Sequence, residues 1–100
     1  MDQASFDWKS GTIAFWDLDQ IDEASPVSEQ IDHLKEDLAQ ITYPGGIVLD
    51  LGWYPSFDLQ GEFKVTVVQN DDWESPIFQA GAKDFRALKY QTLLAISSSV

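Results

Sequence analysis

IVLDLGWYPSFDLQGEFKVTVV, residues 47–68, contains two runs that alternate apolar and polar side chains on either side of a connector. In the first run Ile47, Leu49, Leu51 and Trp53 fall on one side, and Val48, Asp50, Gly52 and Tyr54 on the other. In the second, Phe63, Val65 and Val67 oppose Glu62, Lys64 and Thr66. A period of two marks a strand, because successive Cβ atoms leave opposite faces of a pleated backbone. The connector PSFDLQG suits a hairpin with a long loop, so the stretch predicts neighbouring antiparallel strands with one apolar and one wet face.

Working outward toward the N-terminus, Thr42-Tyr43-Pro44-Gly45-Gly46 reverses the chain, since Pro cannot continue a helix and the glycines permit a sharp turn. Before it, Val27, Ile31, Leu34, Leu38 and Ile41 recur at spacings of four, three, four and three, the stripe of an amphipathic helix. Ser25 is the expected N-cap and Pro26 the first helical residue. Upstream lies an acidic connector, DLDQIDEAS, preceded by an expected strand at Thr12–Trp16 with Ile13 and Phe15 on one face.

Toward the C-terminus, Gln69 to Asp72 forms a turn-rich cluster, and a short apolar piece around Pro76 to Ala80 reads as an edge strand or a strand start. Gly81 is expected to break the chain before a helix over about Lys83 to Ser97, with Phe85, Leu88, Thr92, Ala95 and Ile96 facing inward. The expected fold is α+β and two-layered: an antiparallel sheet of about four strands with two helices on one face, in the order β-α-β-β-β-α, forming a single domain over residues 1–100.

Composition agrees with a folded domain. Hydrophobic residues make up 44% of the chain and aromatics 13%, well above disordered compositions. The absence of cysteine removes disulfides and thiolate metal sites. No apolar run is long enough to span a membrane, and the start MDQASFDW lacks the basic and apolar regions of a signal peptide, so a cytoplasmic chain is expected.

Charge narrows the partners. Seventeen Asp and Glu stand against six Lys and Arg, a formal net charge of -11. Residues 1–82 hold 16 of the acids and 3 bases, a net of -13, whereas residues 83–100 hold Lys83, Arg86 and Lys89 against Asp84, a net of +2. Such a field repels nucleic acid and anionic membranes and attracts basic proteins. Neither nucleic acid nor a membrane surface is therefore an expected partner.

Catalytic patterns are absent. A nucleophilic site needs an activated Ser or Cys beside a base, yet there is no Cys, and the single histidine, His33, belongs to the expected first helix. Asp17, Asp19, Asp22 and Glu23 hint at a calcium loop, but the EF-hand pattern requires glycine where Asp22 stands and glutamate where Ser28 stands. Pro44-Gly45-Gly46 follows a helix and precedes a strand, the wrong order for a phosphate loop. No enzyme, cofactor or metal is expected.

What remains is a set of acids interleaved with aromatic rings. Trp16-Asp17 with Asp19, Trp53-Tyr54 with Phe57-Asp58, and Asp71-Asp72-Trp73-Glu74 repeat the pairing. Trp and Tyr supply large desolvated area at protein interfaces, and carboxylates opposite Lys and Arg supply steering. Each tryptophan taken singly is equally at home in a core. Jointly the pattern nominates Asp58, Asp71, Asp72, Trp73 and Glu74 as partner-binding residues, with Asp50 and Tyr54 from the polar sheet face beside them.

The run from Gly52 to Gln79 resembles the small immunity proteins of bacterial polymorphic toxin and contact-dependent growth inhibition systems. The resemblance rests on Gly52-Trp53-Tyr54-Pro55 closing a strand, on Gly61-Glu62-Phe63-Lys64-Val65 opening the next, and on Asp72-Trp73-Glu74-Ser75-Pro76. It covers the second half of the chain. It implies a cytoplasmic protein that neutralises a cognate toxin, often a basic nuclease, as a monomer in a 1:1 complex, blocking the toxin's active site or substrate path. Two other classes stay open: a nucleic-acid mimic that inhibits a defence nuclease, and a non-catalytic assembly subunit recognised by concentration-dependent dimerisation.

Overall fold

Five strands make one antiparallel meander in the computed structural model, which describes residues 1–100. They are β1 (Thr12–Trp16), β2 (Ala39–Tyr43), β3 (Ile47–Tyr54), β4 (Glu62–Gln69) and β5 (Phe78–Ala82), each hydrogen-bonded to its neighbours in chain order. One α-helix, α1 (Phe85–Ser99), follows, and three short 3-10 segments occupy Gln3–Ser5, Leu18–Gln20 and Val27–His33. The architecture is α+β with a single antiparallel sheet. The sheet has five strands instead of about four, and the main elements run β-β-β-β-β-α instead of β-α-β-β-β-α.

The two alternating runs within residues 47–68 pair as expected. β3 and β4 run antiparallel from Ile47↔Gln69 to Tyr54↔Glu62 without a register shift. Leu49, Leu51, Trp53, Phe63, Val65 and Val67 are all buried, so the apolar side of both strands faces the core.

The expected helix over residues 25–41 does not form. Val27–His33 is a 3-10 segment interrupted at Gln30, whose φ of -129° is not helical. Gln30 instead turns its side-chain amide to the loop before it, donating to the carbonyls of Asp22 and Ser25 and accepting from the Asp22 N–H. Ser25 is no N-cap: its hydroxyl donates to the Asp22 carboxylate, and Pro26 occupies the cap position without a side-chain hydrogen bond. His33 ends the segment, exposed.

The end of the supposed helix, from Ala39, instead opens β2. Its core-facing residues are Ala39, Ile41 and Tyr43, and Pro44-Gly45-Gly46 closes a tight hairpin in which both glycines take positive φ, 86° and 76°. As a strand, this piece satisfies its backbone against both β1 and β3, and β-branched Ile41 and Thr42 suit that environment.

Smaller boundaries also move. Gly81 lies inside β5 instead of breaking the chain before the helix, and β5 starts at Phe78. In β1 a register shift between Ile13 and Phe15 breaks the alternation: Ile13 lies opposite core-facing Ile41, but Phe15 lies opposite Gln40 on the other face.

One side of the sheet carries the core. α1 packs against β4 and β5 with Phe85, Leu88, Thr92, Ala95 and Ile96 buried, the five residues expected from periodicity. Asp84 caps its N-terminus by accepting from the Ala87 N–H at 2.8 Å. Met1, Phe6, Trp8, Leu18, Ile21 and Leu34 join the same hydrophobic cluster, with Val27 and Ile31 packed on it. The Lys89–Glu23 ion pair links α1 to the loops of this layer.

Candidate functional site

No regular element packs on the opposite face of the sheet; the side chains standing there form the candidate site. The pairing register aligns Phe15, Gln40, Asp50, Thr66 and Gln79 in one row crossing all five strands. Asp50 sits at its middle and is only 5% exposed. Gln40 Nε2 donates to Asp50 Oδ1 at 3.3 Å, the Tyr54 hydroxyl donates to Oδ2 at 3.4 Å, and Gln79 Nε2 donates to Thr66 Oγ1 at 3.4 Å.

A bulge brings further acids to this centre. The pairing of Ala39 with Leu51 would place Asp37 opposite Trp53, yet the Trp53 N–H donates to the carbonyl of Lys35, two residues earlier, at 2.8 Å. The two extra residues, Glu36 and Asp37, arch over Gly52, where a Cβ would drive into the Glu36 carbonyl and meet the Tyr54 ring at 2.8 Å. Glycine at position 52 is thus what allows both the arch and the ring to reach the middle of the face. The Glu36 N–H donates to Ser56 Oγ at 2.9 Å and the Leu38 N–H to the Leu51 carbonyl at 3.1 Å, fixing the arch at both ends.

The electrostatics follow from this convergence. Burial pushes the Tyr54 phenol up to about 12, reinforced by the charges of Asp50, Glu36 and Asp37 and by the hydrogen bond to Asp50. Burial likewise raises Asp50 above the ordinary carboxylate value; Asp37 adds to the rise, while the bonds from Gln40 and Tyr54 oppose it. At neutral pH Tyr54 therefore keeps its proton and donates it to Asp50 in a hydrogen bond. Lys64 Nζ lies 5.6 Å from the Tyr54 ring centroid, a cation–π contact. The chain forms only two ion pairs, Lys35–Asp17 and Lys89–Glu23, so none of the three acids is paired.

The seven residues nominated from sequence fall in three places. Asp50 lies at the centre of the face, and Tyr54, the last residue of β3, reaches back to it through its hydroxyl. Asp58 lies beyond the end of β3 in the β3–β4 loop, where its main-chain carbonyl accepts from Trp53 Nε1 at 2.8 Å and its carboxylate from the Gln60 N–H at 2.8 Å. Asp71, Asp72, Trp73 and Glu74 occupy the β4–β5 loop at the opposite end of the sheet, all exposed, with no side-chain hydrogen bond or ion pair among the four. With a rise of about 3.3 Å per residue, the two loops are roughly 23 Å apart along the strands. Trp73 is 46% exposed and turned outward with its acids, whereas Trp53 is 2% exposed and belongs to the core, where its ring packs edge-on against Phe63.

Glu36, Asp37, Gln40 and Phe15 were not nominated. The first three fall within the expected helix, and for Phe15 the sequence predicts only that it shares a face with Ile13. The signal that could have found them is Pro-Gly-Gly between two alternating segments, a hairpin pattern that makes residues 39–43 a strand.

The chain matches no family of known proteins, no curated relative and no solved structure.

Proposed function

We propose that this protein is a cytoplasmic immunity-type inhibitor that binds a basic toxin domain, a nuclease by preference, through the polar face of its sheet. One observation carries the proposal: the arch at Glu36 and Asp37 crosses Gly52 beside the Tyr54 ring, whose hydroxyl donates to Asp50, on a sheet face that no helix covers, and no lysine or arginine of the chain forms an ion pair with these acids. Carboxylates gathered at protein–protein contacts engage arginine and lysine through charge-assisted hydrogen bonds, and a toxin that binds phosphates presents such side chains. The mechanism is occlusion, with the exposed carboxylates of Glu36 and Asp37 standing where RNA or DNA phosphates would otherwise sit, in a 1:1 complex. Exposed Trp73 with Asp71, Asp72 and Glu74 forms one rim, and Phe57 and Leu59, 57% and 60% exposed, stand at the other end.

The same face suits a broad mimic of nucleic acid, and one experiment separates the two. The protein is used as bait in lysate of its source cell, eluted with rising salt, and each eluted species is assayed for nuclease activity with and without added bait. A single basic polypeptide whose nuclease activity the bait suppresses supports the proposal. A mixed set of nucleic-acid-binding proteins supports mimicry instead, and a bait that elutes only itself removes the inhibitor reading.

A further inference from the structure

We infer that the groove beside Phe15 is a receptor for a single arginine side chain of the partner protein. The inference rests on the proposed function for the identity of the partner, but not for the chemistry of the groove. The groove measures about 310 Å³ and is lined by Phe15, Asp37, Ala39 and Gln40. Its aromatic wall exists because of the β1 bulge, which turns Phe15 out of the core and leaves it 41% exposed. A phenyl ring on a polar sheet face, between a free carboxylate and an amide, offers a cation both a π-face and oxygen acceptors.

Three features suit a cation, and the planar fork of a guanidinium singles out arginine. Lys64 lies over the Tyr54 ring and Lys35 Nζ lies 6.0 Å from the Phe15 ring, so these rings accept cations, and an incoming guanidinium would stack on Phe15 in place of Lys35. Lys35 is paired with Asp17, whereas Asp37 belongs to no ion pair and keeps both oxygens for an incoming group. Gln40 donates its Nε2 to Asp50, which leaves its Oε1 as a further acceptor. A guanidinium can stack its plane on a ring while its fork of N–H groups bonds a carboxylate side-on; an ammonium can do one or the other, as a point charge.

The test is an NMR titration of the full chain with two blocked tripeptides, Gly-Arg-Gly and Gly-Lys-Gly, recording backbone amides and the Gln40 side-chain amide. Saturable shifts centred on Phe15, Asp37 and Gln40 are expected, with the arginine peptide binding about fivefold more tightly than the lysine peptide, as stacking plus a bidentate bond allows. Phe15→Ala and Asp37→Asn, both at surface positions, are each expected to abolish that preference. Equal binding of the two peptides would overturn the inference, as would shifts centred on Asp71–Glu74 or a preference that survives both substitutions. Because no partner protein enters the titration, its failure is distinct from that of the proposed function, which lysate capture tests.

Discussion

Asp50 is a buried carboxyl whose two hydrogen bonds, 3.3 and 3.4 Å, are long for a charged acceptor. Desolvation therefore dominates, and the folded chain holds the Asp50 proton more tightly than the unfolded chain, whose value is near 3.8. By linkage, stability falls as pH rises from 3.8 through the raised folded value of Asp50, stays reduced above it, and is restored as pH falls. Asp50→Asn is accordingly expected to raise the urea midpoint at neutral pH, with the gain shrinking toward acid pH; a loss of stability at neutral pH would show that the charge is held more favourably than its bonds indicate. Tyr54 gives a second expectation of the same kind. Its phenol, pushed up to about 12, should ionise late in an ultraviolet titration, and the component near 12 should be lost in Tyr54→Phe while that of Tyr43, which burial also raises, stays. Since the folded value lies above the ordinary 10, this group lowers stability as pH climbs from 10 to about 12. Replacing Glu36 and Asp37 by Gln and Asn should bring the late component to lower pH, because their charges are part of what raises it.

The bulge between Lys35 and Leu38 builds the site, and Gly52 permits it. Gly52→Ala pushes a methyl into the Glu36 carbonyl, a backbone atom that cannot step aside, and is expected to cost about 1–3 kcal/mol in urea unfolding. Gly81→Ala is its control, because the group in its way is the Glu62 carboxylate at the end of a flexible side chain; a cost under about 1 kcal/mol is expected there. Comparable costs at the two positions would mean that the arch can move. Elements with strong period-two alternation, β3 and β4, were legible in the sequence, as was the buried stripe of α1. The region 25–43 was not, because Leu34, Leu38 and Ile41 are buried in an extended chain at spacings that also fit a helix. What decided between the two was tertiary: a strand there completes hydrogen bonding between β1 and β3, while Ser28, Asp32, His33 and Asp37 add little helix propensity. The acids of the arch were hidden by the same ambiguity, whereas Asp50 and Tyr54 were legible from the alternation of β3 alone.

Across the whole molecule the net charge is -11, and acids stand on both sides of the sheet: those of the arch and Asp50 on one face, and Asp2, Asp7, Asp19, Asp22 and Glu23 on the segments that pack their apolar residues into the core on the other. Such a field would draw a basic partner in before contact and make its association sensitive to salt. The molecule measures 38 × 28 × 20 Å, and an interface of ordinary size, about 800 Å² per partner, would cover much of one face and reach one end loop as well. The direct measurement is a calorimetric titration of the captured partner with the wild-type chain, with Glu36→Lys/Asp37→Lys and with Asp72→Lys/Glu74→Lys, each at low and high salt. With binding centred on the sheet face, the first double variant should lose at least about tenfold more affinity than the second, and wild-type affinity should fall with salt. Equal losses in both variants, or wild-type affinity indifferent to salt, would contradict a binding centre at Glu36, Asp37, Asp50 and Tyr54.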